Sequence, residues 1–152
     1  MTKEQFIGTW RLVSTENRDA DGNLHYPYGV NPSGILMYDS DGHMSVQIMH
    51  RNRPAIAAID SGTPEEIRAA FIGYAAYFGT YGVNEQEGSV VHHLEGSLLP
   101  WVGGDQKRHF TFSGNQLTLR PPPRVFGGVK ISGFLVWERV SPAEGWHTTE
   151  AR

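Results

Sequence analysis

The chain has 152 residues, with 13 basic and 16 acidic side chains, a net charge of −3 and no cysteine. This length suits one domain with a sizeable core, and no linker-like segment divides the sequence, so we expect a single domain over residues 1–152. The charges are spread without runs, which argues against a nucleic-acid partner. The lack of cysteine excludes disulfides, thiolate metal sites and a cysteine nucleophile.

The first residues lead directly into a strand-like segment. They contain no apolar core of a signal peptide and no small-residue cleavage site. No apolar run approaches the ~18 residues expected of a membrane-spanning helix. We therefore expect a cytoplasmic protein that does not bind membranes.

Glycine-containing turns separate runs of β-branched and aromatic residues. Examples are Ser40-Asp41-Gly42 and Ser113-Gly114-Asn115, whose composition is typical of hairpin turns. The pattern predicts eight strands, at approximately 8–17, 34–39, 43–50, 79–85, 88–99, 105–113, 115–120 and 131–140.

One segment predicts a helix between the third and fourth of these strands. Thr63 is followed by Pro64 and, three residues after the cap, by Glu66, which is the pattern of a capping box with proline at the first helical position. Apolar residues then recur at helical spacing up to Gly79 and include Tyr74 and Tyr77. The helix would pack against the sheet or plug one end. The tyrosines either belong to the core or turn a hydroxyl toward a cavity.

Five stretches resemble the bacterial and fungal lipocalin-like domain family, in the same order along nearly the whole chain. They lie at 6–14, which contains Gly8-Thr9-Trp10, and at 34–49, 77–81, 91–100 and 135–139, which contains Trp137-Glu138-Arg139. The resemblance implies a mainly β fold, an eight-stranded antiparallel barrel with the one helix inserted between strands three and four. The barrel would enclose a small, mainly apolar molecule, and some family members belong to natural-product pathways.

The resemblance also implies that Trp10 and Arg139 close the barrel floor, with the guanidinium stacked on the indole. Unlike secreted lipocalins, the chain has no cysteine, no apparent signal peptide and no Thr-Asp-Tyr motif, and its helix interrupts the strands instead of following them. Extracellular transport is therefore not expected.

Strand alternation assigns faces in the fifth and sixth predicted strands. His92 shares an uncharged face with valine and leucine and is expected to point inward, whereas His93 points toward solvent. These adjacent histidines therefore cannot form a two-histidine metal site. In the sixth strand, Arg108 shares its face with Phe110 and Phe112 and is expected to point inward with them.

An inward Arg108 has two interpretations, because a buried guanidinium is costly unless it is paired. It lies at a barrel end and meets backbone carbonyls or solvent, or it binds a carboxylate, enolate or phenolate of a ligand. His92 is likewise either a hydrogen-bonded core histidine or an acid or base near neutral pH.

The third predicted strand leaves its inward face open. Composition favours the face that carries Met44, Val46 and Ile48. A ligand cavity also needs a few polar groups among apolar ones, and the opposite face, with Ser45, Gln47 and Met49, would provide that mixture. The ligand-binding candidates are therefore Gln47, Met49, Tyr74, Tyr77, Tyr81, His92, Arg108 and Trp137.

Motifs of other chemistries do not occur. The sequence has no phosphate-binding glycine loop, no Gly-x-Ser-x-Gly elbow and no His-Glu-x-x-His motif, and its Asp-Gly turns lack the spacing of calcium loops. No metal and no cofactor is expected.

Three functions remain. The first is binding of a small, mainly hydrophobic molecule that carries a carboxylate, enolate or phenolate group. The second is a cofactor-free cyclase, isomerase or dehydratase acting on a polyketide- or terpenoid-like metabolite, with His92, Tyr81 and Arg108 as candidate catalytic residues. The third is a filled barrel whose outer surface meets a protein. The sequence does not indicate an oligomeric state.

Overall fold

A computed structural model describes residues 2–141, which form two helices and one antiparallel sheet of ten strands. The helices are α1 (Thr2–Phe6) and α2 (Pro64–Ile72). The strands are β1 (Gly8–Asp19), β2 (Leu24–His25), β3 (Ser33–Tyr38), β4 (His43–Met49), β5 (Tyr74–Asn84), β6 (Ser89–Ser97), β7 (Asp105–Ser113), β8 (Gln116–Arg120), β9 (Arg124–Phe126) and β10 (Val129–Arg139).

Pairing between the first and last strands closes the sheet. β1 pairs with β3 on one side and with β10 on the other, in a register that runs from Trp10 opposite Arg139 to Asp19 opposite Ile131. The ring order is β1-β3-β4-β5-β6-β7-β8-β10, and the short strands β2 and β9 attach to β1 and β10. The predicted eight-stranded antiparallel barrel is confirmed, with its long helix inserted between β4 and β5.

The two ends of the barrel differ because connections between antiparallel strands alternate between them. At one end, which we call the floor, short turns join β3 to β4, β5 to β6 and β7 to β8. At the other end, which we call the mouth, lie the long connections 20–32, 50–73, 98–104 and 121–128. A cavity between the strands therefore has its access at the mouth.

Aromatic packing and one arginine seal the floor. Phe6 is fully buried and meets Tyr38 edge-on, with 5.3 Å between ring centroids. The Trp10 indole nitrogen donates to the Phe6 carbonyl oxygen at 2.9 Å. The Arg139 guanidinium lies 4.2 Å from the centre of the Trp10 ring and donates to the Ile7 carbonyl oxygen at 2.8 Å, so the expected stacking is present.

The helix α2 begins as predicted but ends early. The Thr63 hydroxyl accepts from the Glu66 backbone at 3.2 Å, which forms the predicted capping box. The predicted continuation to Gly79 is wrong, because the helix stops at Ile72 and β5 begins at Tyr74. The aromatic residues of this segment favour strand, and ladders with β4 and β6 outweigh their helical spacing. Helix α2 buries none of its residues and so does not plug the barrel.

We predict that Arg139→Gln lowers the free energy of unfolding by about 1–3 kcal/mol, because it removes a cation–π contact and the hydrogen bonds to the carbonyl oxygens of Gln5 in α1 and of Ile7 after it. Urea denaturation followed by tryptophan fluorescence measures this change. Arg11→Gln is the control, since Arg11 is exposed on the same strand as Trp10 and should alter stability by less than about 0.5 kcal/mol. Equal effects of both substitutions would contradict the sealing role of Arg139.

Candidate functional site

A cavity of about 460 Å³ extends from the mouth into the barrel. This volume falls within the range of small-molecule sites, roughly 300–1,000 Å³. Its walls are mainly apolar and include Leu36, Val46, Ile48, Leu119, Leu135 and Trp137. The barrel is therefore not filled by its own side chains, and it has room for a small organic molecule.

A buried histidine between two tyrosines lies at the polar part of this cavity. His92 is 1% exposed. Its Nε2 atom lies 2.6 Å from the Tyr38 hydroxyl oxygen, and its Nδ1 atom lies 2.7 Å from the Tyr77 hydroxyl oxygen. Both ring nitrogens are thus hydrogen-bonded. The histidine lies on β6, and its two tyrosine partners lie on β3 and β5. Tyr77 and His92 line the cavity, whereas Tyr38 lies behind them.

A glycine allows the strands that carry Tyr77 and His92 to approach closely. The ladder between β5 and β6 shifts register between Phe78 and Gly79. A Cβ atom on Gly79 would collide with the backbone carbonyl oxygen of His93. Glycine is therefore required at this irregularity, next to the cavity-lining residues.

Burial sets the charge of this cluster. It lowers the pKa of His92 to about 3, and the nearby positive charge of Arg108 acts in the same direction. Burial also raises the pKa of Tyr38 and Tyr77, although the charge of Arg108 partly opposes it. Near neutral pH the imidazole is therefore uncharged and both phenols keep their protons.

Arg108 supplies a positive charge to the cavity wall. Its Nη1 donates to the Lys107 carbonyl oxygen at 2.9 Å, and its Nη2 lies 3.5 Å from the Gln106 side-chain oxygen. Within residues 2–141, no carboxylate forms an ion pair with it. The guanidinium has five N–H donors, so donors remain for a ligand oxygen.

The structure brings four of the predicted site residues to the cavity: Tyr77, His92, Arg108 and Trp137. His93 points outward, as expected, and its Nδ1 lies 2.8 Å from an Asp105 carboxylate oxygen. Tyr81 is buried but lies on the floor side, where its hydroxyl donates to the Asp39 carbonyl oxygen at 2.7 Å. It does not line the cavity.

Three other candidates lie outside the cavity. On β4 the inward face carries Val46 and Ile48, so Gln47 and Met49 point outward, and the expectation that they face the interior is corrected. Tyr74 also lies on the outer face, where its hydroxyl donates to Gln47. Side-chain alternation gives the physical reason, since one strand cannot turn adjacent residues to the same side.

Tyr38 was not among the predicted site residues, although it is 2% exposed and completes the His92 cluster. A signal was present: in the predicted strand 34–39, Tyr38 shares its face with Leu36, which alternation places on the inner side. The hydrogen bond itself joins residues 54 positions apart and has no local signature.

Residues 2–141 contain no group of three or more histidine, aspartate or glutamate side chains placed to hold a metal ion. In the same part of the chain, no helix has the length and apolar character needed to cross a membrane.

Comparison with known proteins agrees with this architecture. The family model described as "Lipocalin-like domain" matches residues 7–140. The 4'-hydroxy-3'-methoxypropiophenone carrier protein of Aspergillus oryzae is 32% identical, over 64% of this chain and 96% of the relative. No solved structure gives a significant match.

We predict that His92 makes stability depend on pH. Its pKa is about 3 in the folded protein and near 6.5 when unfolded, so between these values the unfolded chain binds the extra proton. The stabilisation from His92 is complete above pH 6.5 and is lost as the pH falls toward 3, by at most ~1.4 kcal/mol per pH unit. Urea denaturation between pH 4 and 7 measures the slope.

In His92→Gln this slope should decrease by the contribution of one proton. Equal slopes for wild type and His92→Gln would contradict the neutral buried imidazole.

Proposed function

The chain belongs to the lipocalin-like domain family, and on that premise we propose that its barrel binds a small, mainly hydrophobic molecule with an electron-rich oxygen. The observation that carries the proposal is a mainly apolar cavity with Arg108, Tyr77 and His92 together on its wall. Within residues 2–141, Arg108 has no carboxylate partner. Apolar walls provide affinity, and a few directed donors orient the ligand.

An aryl ketone with a phenolic hydroxyl is the class of ligand that we propose. The Aspergillus oryzae relative is named as a carrier of 4'-hydroxy-3'-methoxypropiophenone, which has an apolar ring and alkyl group and oxygens at two ends. In this chain, one of those oxygens would accept hydrogen bonds from Arg108 and Tyr77, while the ring contacts side chains such as Leu119 and Trp137. A carboxylate or enolate would fit the same donors.

The cluster favours binding over the alternative of a cofactor-free cyclase, isomerase or dehydratase. Both nitrogens of His92 are engaged by tyrosines, and its pKa of about 3 makes it a weak base near neutral pH. Tyr81 is turned away from the cavity and bonds to a backbone carbonyl. Of the candidate catalytic residues, only Arg108 combines access to the cavity with unused donors.

We predict that Arg108→Gln weakens binding of 4'-hydroxy-3'-methoxypropiophenone by about 10- to 100-fold, because it removes a charge-assisted hydrogen bond. Isothermal titration calorimetry or ligand fluorescence measures the dissociation constant. Lys107→Gln is the matched control: it removes the same charge one residue away, where the side chain pairs with Glu87, and should leave affinity unchanged. Equal losses in both variants would contradict a specific role for Arg108.

Filling the cavity with a larger side chain tests whether the ligand binds there. Ala75 lines the cavity on β5, and Ala75→Trp should abolish binding by occupying the space of the ligand. Ala69→Trp, on the exposed surface of α2, should bind as wild type does, with circular dichroism confirming that both variants fold. Retained binding in folded Ala75→Trp would place the ligand elsewhere.

A further inference from the structure

We propose that the part of the cavity wall formed by Tyr77 and Arg108 presents hydrogen-bond donors to the ligand, so that a phenol or enol ligand binds as its oxyanion and releases its proton to solvent. The inference rests on the proposed function, because it specifies the ionisation state of the ligand in the same site. It also assigns Tyr38, which does not line the cavity, a positioning role.

Tyr38 determines which groups donate and which accept in this cluster. Its hydroxyl lies in the core, and within residues 2–141 its single hydrogen-bond partner is His92 Nε2. A buried hydroxyl proton without an acceptor is costly, and burial keeps that proton on the oxygen because it raises the pKa of Tyr38. The Tyr38 hydroxyl therefore donates to Nε2.

This bond fixes the tautomer of His92. A neutral imidazole has one N–H donor and one acceptor nitrogen. Because Nε2 accepts from Tyr38, the proton lies on Nδ1, which donates to the Tyr77 hydroxyl oxygen 2.7 Å away. In the opposite tautomer, Nε2–H would donate to the Tyr38 oxygen and leave the Tyr38 proton without an acceptor.

The tautomer of His92 in turn fixes the role of the Tyr77 hydroxyl. Its oxygen accepts from His92, so its own proton must be donated elsewhere. In the described part of the chain, its hydroxyl has no other hydrogen-bond partner, and its side chain lines the cavity. Tyr77 is therefore the donor end of a chain that runs from Tyr38 through His92 to the ligand.

The groups around this donor favour a negative ligand. On β7, Arg108 adds further donors, and the Gln106 side-chain oxygen is already directed at it. The other titratable groups on the lining are Tyr28, Glu16 and Arg124. Glu16 accepts from Arg18 on its own strand, and Arg124 is exposed on β9, so Arg108 is the cation nearest to the cluster. An unpaired guanidinium at an apolar wall lowers the pKa of a bound phenol.

The proton leaves the ligand and not the tyrosines. Burial raises the pKa of both Tyr38 and Tyr77. A phenol with an acyl group para to its hydroxyl is more acidic than tyrosine, because the carbonyl group delocalises the charge of the phenolate. On binding, the O–H bond of the ligand breaks, its electron pair stays on the oxygen, and the proton passes to buffer.

The test uses 4'-hydroxy-3'-methoxypropiophenone, whose phenol and phenolate forms absorb at different wavelengths. We expect the pKa of the bound ligand to lie at least about one unit below that of the free ligand, equivalent to a tenfold or greater preference for the anion. Calorimetry in buffers of different ionisation enthalpy, at a pH midway between the bound and the free pKa, should show release of at least about half a proton per ligand. The methyl ether of the same phenol, which cannot ionise, should bind without releasing a proton.

Tyr38→Phe separates positioning from packing. It removes the donor to Nε2, so His92 no longer has a fixed tautomer and Tyr77 can donate back to it. The pKa of the bound phenol should rise toward the free value, while affinity for the methyl ether stays within about twofold of wild type. An equal loss of affinity for the phenol and for its methyl ether would overturn the positioning role of Tyr38.

A measurement on the wild-type protein keeps the test independent of whether this variant folds. The nitrogen-15 chemical shifts of His92 should report a neutral ring protonated at Nδ1. A ring protonated at Nε2, or a bound phenol whose pKa is unshifted, overturns the inference and leaves the proposed function intact. If neither the phenol nor its methyl ether binds, the proposed function fails as well.

Discussion

The site depends on one buried imidazole held between two phenols. His92 is almost fully buried, so both of its nitrogens need protein partners, and Tyr38 and Tyr77 provide them from two other strands. This requirement links β3, β5 and β6 at the cavity. Because Tyr38 is enclosed by the core and Tyr77 faces the cavity, the cluster connects the packing of the barrel with the chemistry available to a ligand.

The two ends of the barrel divide stability from binding. At the floor, Arg139 covers Trp10, and α1 inserts Phe6 among the aromatic residues of the core. At the mouth, long connections leave the cavity accessible. Arginine therefore has opposite uses at the two ends, since Arg139 is occupied by backbone carbonyls and an indole, whereas Arg108 keeps donors for a ligand.

Local patterns predicted most of the fold, and alternation predicted part of the site. Turn glycines indicated the positions of the eight barrel strands. The uncharged face of one strand correctly predicted that His92 points inward. Alternation did not decide which face of β4 points inward, because ligand chemistry and core packing favoured opposite faces. In the structure, Gln47 lies on the outer face. The aromatic residues after Gly73 had helical spacing, but strand pairing with distant segments decided their structure. Such pairings have no local signal.

In the proposed complex, one oxygen of the ligand contacts Tyr77 and Arg108 inside the barrel. A crystal structure of the complex with 4'-hydroxy-3'-methoxypropiophenone tests it most directly. We expect the phenolic oxygen within hydrogen-bond distance of the Tyr77 hydroxyl and the Arg108 guanidinium, with the ring against the apolar wall. A ligand on the outer surface, or one that directs its alkyl group at these donors, would contradict it.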